Sequence, residues 1–358
     1  MRQILLVLLL VGLVACTGCP LGETGDVETV VYGRFKADIA SDSDVTNSNG
    51  NFVQWVDNVT TGDGSFAITS RETRLGVKLS QGETLTGKVE VDFYGSNVAA
   101  DADNKGSVLL RHAFVKMDLD NGLSLLAGQT SDVFSPLLPA VLNYGWGWNA
   151  GNPGYRRPQF RLAYAKEGFV GQLALARSIS AEDAGSPDIQ ARLAYGMKEG
   201  TVPFEVGASY VTGVTDTDGD IDLSAFAVDF NVKPHEKVVV RGEYYSGQQL
   251  NTYLGSIGVA DATTVDQEIE SSGFWVQVGL VAAEGLTLNV GYGAAENEDD
   301  YLGGNDPENN SFIFVNGRYM LNEKTELGLE VSMWDTEYYN DTEDYENTRV
   351  QLSLIVNF

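Results

Sequence analysis

Leu286, Leu288, Val290 and Tyr292 alternate with Thr287, Asn289 and Gly291, and Leu327, Leu329, Val331 and Met333 alternate with Glu326, Gly328, Glu330 and Ser332. A period of two puts the apolar set on one face of a strand. Each stretch is about ten residues long, the length a tilted strand needs to cross a bilayer. The same pattern recurs near 29 to 39, 65 to 79, 84 to 95, 108 to 118, 123 to 129, 158 to 166, 168 to 178, 188 to 197, 201 to 211, 221 to 232, 236 to 246, 272 to 283, 285 to 295, 311 to 321, 324 to 335 and 347 to 358. That makes sixteen predicted strands, and bacterial outer-membrane barrels carry an even number. After the first twenty residues no run reaches eighteen consecutive apolar residues, so no membrane-spanning helix is predicted there.

The connections alternate in kind. Short polar turns such as SQGET, DLDNG, KEG, KPHE, AEG and NEK follow the even-numbered strands. Longer stretches, near 40 to 64, 96 to 107, 130 to 157, 179 to 187, 212 to 220, 247 to 271, 296 to 310 and 336 to 346, follow the odd-numbered ones. Short periplasmic turns and long external loops produce this parity in a barrel, whereas a soluble sandwich has no reason to keep it. The predicted fold is therefore all-β, a transmembrane antiparallel barrel of sixteen strands over residues 29–358.

Charge follows the same division. The chain carries a formal net charge of -27, and its eight long loops hold 27 Asp and Glu against three Lys or Arg. The acidity belongs to an external rim, which either keeps that surface solvated or bridges lipopolysaccharide phosphates through divalent cations. Forty glycines, few prolines and abundant aromatics suit strands and tight turns.

The beginning, MRQILLVLLLVGLVACTGCPLG, has one basic residue and an apolar run from Ile4 to Ala15. Twelve helical residues span about 18 Å, too short for a bilayer core, so residues 1–15 are predicted to be a secretion signal. LVAC, ending at Cys16, also matches a lipobox, leaving two readings: acylation at Cys16, or ordinary signal cleavage nearby. Residues 16–28 then form a short periplasmic segment. Cys16 and Cys19 are the only cysteines, so the body has neither a disulfide nor a thiolate metal site.

With the apolar set turned toward lipid, the opposite face carries Arg34, Lys36 and Asp38 on the first strand, Arg74 and Lys78 on the second, and Lys88, Glu90 and Asp92 on the third. Further along, Arg161, Arg192, Arg241, Glu243, Arg318, Glu326, Glu330 and Arg349 share that face. Charges of both signs inside a sixteen-stranded barrel mean a wet lumen. Arg71 and Arg111 fall on the apolar parity, which a bulge or a protein interface over that part of the wall would explain.

The third long loop, TSDVFSPLLPAVLNYGWGWNAGNPGYRRP, is poor in acid and rich in aromatics. It is predicted to fold into the lumen with Phe134, Leu137, Leu138, Trp146 and Trp148 packed on the wall. Its return brings Arg156 and Arg157 toward Arg161, Arg34 and Arg74 at a narrowing. Rings of arginine favour anions; alternatively these arginines pair with Glu72, Glu90 and Asp92 and set the position of the loop.

VVYGRFKADI, TRLGVKLSQGETLTGKVEVDFYG, LLRHAFVKMD and LLAGQTSDVFSPLLP resemble the first strands of Gram-negative general porins, most closely the DcaP-like branch, over about residues 29 to 165. The resemblance implies a homotrimeric channel in the outer membrane with an inward third loop, small organic anions such as carboxylates in transit, and pore-lining roles for Arg34, Arg74, Arg111 and Arg161. It also implies that the terminal stripe ending in Phe358 serves as the membrane-insertion signal. The lipobox and the acidic loops depart from the family pattern.

Enzymatic chemistry is not expected. Only His112 and His235 are present, one on a strand and one in a turn. DTDGDID, Asp216 to Asp222, reads as an Asp-Gly hairpin in preference to a calcium loop. No cofactor, metal or nucleic-acid partner is expected. The reading is a passive channel for small hydrophilic solutes that leans weakly toward anions; the rival is a structural or adhesion barrel whose acidic external loops bind a partner or calcium and whose lumen is closed.

Overall fold

The structure is a computed structural model and describes residues 27–48, 51–59, 63–95, 106–178, 186–200, 202–214, 222–258, 269–298 and 302–358. The proposed signal, Cys16 and Asp216 to Ile221 lie outside the described residues.

Seventeen strands occur among them: β1 (Val27–Asp42), β2 (Phe66–Thr69), β3 (Arg74–Gln81), β4 (Leu85–Asp92), β5 (Leu109–Asp118), β6 (Leu123–Ser131), β7 (Arg156–Lys166), β8 (Phe169–Ala176), β9 (Asp188–Met197), β10 (Phe204–Val214), β11 (Asp222–His235), β12 (Val238–Gln248), β13 (Glu270–Ala283), β14 (Leu286–Asn297), β15 (Pro307–Asn322), β16 (Thr325–Tyr338) and β17 (Asp344–Asn357). Each pairs antiparallel with its neighbours, and β17 returns to β1 with Arg34 opposite Asn357 and Asp42 opposite Arg349. The sheet is thereby a closed barrel without free edges.

The predicted second strand is broken in two. β2 and β3 both pair with β1, Asp38 opposite Thr69 and Arg34 opposite Arg74, with the register slipping by one residue between them. They occupy one position in a sixteen-position wall. Residues 70–73 form the interruption, where the Lys36 amide donates to Thr73 Oγ1 at 3.2 Å in place of a ladder bond. Arg71 sits in this break, which accounts for its parity. Arg111 is explained by a bulge: Glu90 pairs with His112 and Val91 with Leu110, leaving Arg111 as the extra residue. The first strand starts at Val27, within the stretch assigned from sequence to a periplasmic segment.

The faces are sorted as the alternation requires. On β17 Val350, Leu352 and Leu354 are exposed while Arg349, Gln351 and Ser353 are buried. On β1 Val31, Phe35 and Ile39 are exposed while Lys36 and Asp38 are buried. An apolar exterior around a polar interior is the pattern of a lipid-facing barrel.

Buried clusters join strand residues to residues of the connecting segments. One cluster joins Val53, Tyr144, Trp146, Trp148, Phe312, Phe314 and Trp334. A second joins Phe134, Val211, Leu223, Tyr245, Leu250 and Tyr253. Val53, Leu250 and Tyr253 come from stretches expected to be solvated external loops, and each is fully buried. The alternation signal stops at the strand ends, so it could not report where these stretches pack. Leu138 corrects another expectation: it is 42% exposed rather than packed on the wall.

Candidate functional site

The segment between β6 and β7, residues 132–155, is tied to polar side chains on the inner parity of many strands. Val133 N–H donates to Gln190 on β9 (2.8 Å), Ser135 Oγ and Leu137 N–H donate to Glu243 on β12 (2.9 and 2.8 Å), and Ala140 N–H donates to Gln277 on β13 (2.6 Å). Leu142 N–H donates to Glu330 on β16 (2.6 Å), and the Leu142 carbonyl accepts from Lys36 Nζ on β1 (2.7 Å). A loop without regular structure keeps its backbone satisfied in this way. Buried Glu243 and Glu330, read from sequence as generic inner-face charges, are its anchor points.

Beside this segment lies a cavity of about 410 Å³. Its lining includes Arg34, Lys36, Arg74, Arg111 and Arg156 from the β1–β7 part of the wall, Arg241 and Arg318 from β12 and β15, and His112, Leu138, Leu142 and Trp146. Among the described residues that line it, Glu72 is the only carboxylate. Arg34 and Lys36 each form a close ion pair with Glu72, and Arg74 reaches it at 3.1 Å. Lys36 is also 3.4 Å from Asp38. Arg111 bridges Glu90 (2.9 Å) and Asp92 (2.6 Å), and Arg318 pairs with Glu326 at 2.7 Å. Arg156 and Arg241 form no ion pair with any described residue.

The other residues singled out from sequence lie elsewhere. Arg157 is fully buried between Asp132 (2.8 Å) and Asp188 (3.2 Å), with its guanidinium 3.6 Å from the Tyr253 ring centre. It also donates to the Thr252 carbonyl (3.1 Å), so it ties the 251–253 turn to the base of β9. Arg161 donates to Gln159 (2.9 Å) and to the Ser131 carbonyl, and Lys78 lies over the Tyr32 ring at 4.8 Å. None of the three lines the cavity, and neither do Glu90 or Asp92. The expected arginine stretch thus divides: Arg34, Arg74 and Arg156 meet, whereas Arg157 and Arg161 are held in the wall.

Arg241 and Arg318 were absent from the sequence candidates for the narrowing. Period-two alternation placed both on the inner face, but only closure of the barrel brings β12 and β15 to the same cavity as β1. The sequence assigns Trp146 to packing, yet three guanidinium groups surround its ring: Arg74 at 5.2 Å, Arg111 at 5.3 Å and Arg156 at 5.9 Å.

His112 Nδ1 lies 3.0 Å from Thr130 Oγ1, and its Nε2 is 3.9 Å from Glu90. Among the described residues no group of three or more His, Cys, Asp or Glu is placed to hold a metal ion. Tyr144, between β6 and β7, donates to Asp92 at 3.1 Å and stacks on Tyr94 at 3.9 Å. Burial, reinforced by Asp92, pushes its phenol well above the usual tyrosine value. It stays a neutral donor at any physiological pH.

At the other end, Phe358 N–H donates to the Gly33 carbonyl (3.1 Å), and Gly33 N–H donates back to the Phe358 carbonyl (3.2 Å). The Phe358 ring lies 5.2 Å from that of Phe35, on the exposed face. The last residue is therefore part of the seam that closes the sheet.

No family model and no curated protein matches the sequence. Among solved structures, the outer-membrane channel DcaP of Acinetobacter baumannii is similar at a TM-score of 0.76 and 21% identity, covering 94% of this chain and all of that one. OmpF of Salmonella typhi, in complex with daunomycin, is similar at a TM-score of 0.66 and 14% identity over 92% of this chain and 97% of its own. The anion-selective porin of Comamonas acidovorans is similar at 0.62 and 12% identity over 93% and 100%. The chain has the fold of the Gram-negative outer-membrane porins.

Proposed function

We propose that this protein is an outer-membrane channel for passive diffusion of small hydrophilic solutes, with a preference for small organic anions such as carboxylates. The observation that carries the reading is the cavity lining: among the described residues, seven Arg or Lys side chains and a single carboxylate, Glu72. A wall of that composition in a low-dielectric surround attracts anions and repels cations. The segment 132–155 then acts as the inward loop that narrows the lumen, with Glu243, Gln277 and Glu330 holding it in place. Arg34, Lys36, Arg74, Arg111 and Arg156, joined by Arg241 and Arg318, set the selectivity. The protein belongs by this reading in the outer membrane beside lipopolysaccharide, is delivered there by a cleaved signal, and works as a homotrimer without enzymatic activity.

The test is recording from purified protein in planar bilayers. Stepwise conductance and a reversal potential that favours chloride in a potassium chloride gradient are expected. Absence of steps at every salt concentration returns the closed structural or adhesion barrel to consideration. A clear cation preference refutes the arginine argument.

A further inference from the structure

Most of the cations around the cavity are partly cancelled. Arg34, Lys36 and Arg74 share Glu72, Arg111 lies between Glu90 and Asp92, and Arg318 lies on Glu326. Arg156 is held differently. It is 6% exposed, and one terminal guanidinium nitrogen, Nη2, is buried without a hydrogen-bond partner among the described residues. Its guanidinium carbon lies 4.4 Å from the Tyr155 ring centre and 5.9 Å from that of Trp146.

The two kinds of anchor differ in electrostatics. A carboxylate positions a guanidinium and neutralises it. An aromatic face attracts the cation through its quadrupole and leaves the net charge in place. A cation held by rings therefore projects its whole charge into the cavity.

Trp146 is built to serve as such a face. Its backbone is left-handed (φ 46°), a conformation that costs a non-glycine residue energy and persists only where its surroundings impose it. Here the Trp146 N–H donates to the Asn143 carbonyl (3.2 Å) and the Trp146 carbonyl accepts from Asn152 Nδ2 (2.7 Å). Asn143 is fixed in turn by Glu330 (3.3 Å) and the Val53 carbonyl (2.8 Å). The indole packs against Trp148 and Tyr144 at 5.3 and 5.5 Å and borders the cavity.

We propose that Trp146, with Tyr155, is the positioning residue of the anion filter: the two rings hold Arg156 at the cavity with its charge uncancelled, and anion selectivity depends on that placement. The inference rests on the reading of the cavity as the filter. Arg74 and Arg111 also approach Trp146 but keep their places through carboxylates, so the effect of Trp146 on selectivity runs through Arg156.

The experiment is the chloride-to-potassium permeability ratio, from reversal potentials of the full chain in planar bilayers. Trp146→Leu and Arg156→Gln should each lower it by about twofold or more, the factor set by the weakest cation–π contacts. Trp146→Phe keeps an aromatic face and should stay near wild type. Trp146→Leu added to Arg156→Gln should change nothing further, since the group it positions is gone. An unchanged ratio in Trp146→Leu, or the same fall in the Arg156→Gln background, overturns the proposal. If Trp146→Leu forms no channels, Tyr155→Leu takes its place, and an unchanged ratio there overturns it equally. A wild type that does not prefer anions defeats the filter itself, whereas an anion-selective wild type with an indifferent Trp146→Leu defeats only this inference.

Discussion

Arg156 and Arg157 are adjacent in sequence, yet the structure gives them opposite tasks, and Arg157→Met exposes the difference. Methionine replaces most of the side-chain volume and removes the charge. It strands two carboxylates, Asp132 at 1% exposure and Asp188 at 0%. Breaking a buried ion pair from one side costs about 3–5 kcal/mol. Loss of the stack on Tyr253 at 3.6 Å adds up to ~2 kcal/mol, and the bond to the Thr252 carbonyl adds ~1.5 kcal/mol or more. The contributions share one group and do not add fully, so the expected destabilisation is about 4 kcal/mol at pH 7.

A second figure checks the scale. Protonating an ordinary aspartic acid at pH 7 costs about 4 kcal/mol, which limits what one stranded carboxylate can impose before it takes up a proton. At pH 5 that limit falls to about 1.5 kcal/mol. A group whose folded form holds its proton more tightly than its unfolded form destabilises at high pH and is relieved as pH falls. The variant should therefore approach wild-type stability on acidification. Urea unfolding in detergent micelles at pH 7 and pH 5, followed by tryptophan fluorescence, measures both quantities. An unfolding midpoint equal to wild type at pH 7, or a deficit that fails to shrink at pH 5, would refute the account of Arg157 as a buried tie.

Glu72→Gln leaves Arg34, Lys36 and Arg74 without their shared carboxylate; stability should fall by about 3–5 kcal/mol while the permeability ratio shifts further toward anions, and a shift toward cations would contradict the charge argument. Arg241→Gln removes a cavity cation that forms no ion pair with any described residue, so the chloride preference should drop with little change in unfolding midpoint; an unaltered reversal potential would exclude Arg241 from the filter. Deleting Phe358 removes two backbone hydrogen bonds to Gly33 and a ring contact with Phe35 at the closing seam. Its expected result is a lower yield of assembled barrel in lipid vesicles, scored by protease resistance, and wild-type yield would show that the seam closes without it.

Much of the wall was legible because a strand in a barrel obeys a local rule. Side chains alternate between lipid and water, so Val350, Leu352 and Leu354 on one side and Arg349, Gln351 and Ser353 on the other could be sorted by parity alone. The exceptions are equally physical. Arg111 broke parity because a bulge inserts one residue, and Arg71 because β2 and β3 are separated by a break. Alternation flags such positions but does not say which irregularity is present.

The site was less legible. Arg34, Arg74 and Arg156 line one cavity, whereas Arg157 and Arg161, of the same residue type and from much the same stretch of sequence, do not. Whether an arginine faces a cavity or a carboxylate depends on Asp132 and Asp188, which lie 25 and 31 positions away from Arg157. The stretch at 250–257 packs on nearby Tyr245 but also on Phe134, Val211 and Leu223, and burial against such distant residues is not written in its own spacing.

The sequence by itself determined the fold class, the outward and inward faces, and the acidic character of the long connections, since each follows from spacing over a few residues. Only the tertiary structure decided which inward cations meet, which carboxylates cancel them, and that Trp146 stands among three arginines. Closing the sheet brings residues hundreds of positions apart within a few ångströms, and electrostatic interactions depend on those distances rather than on sequence separation.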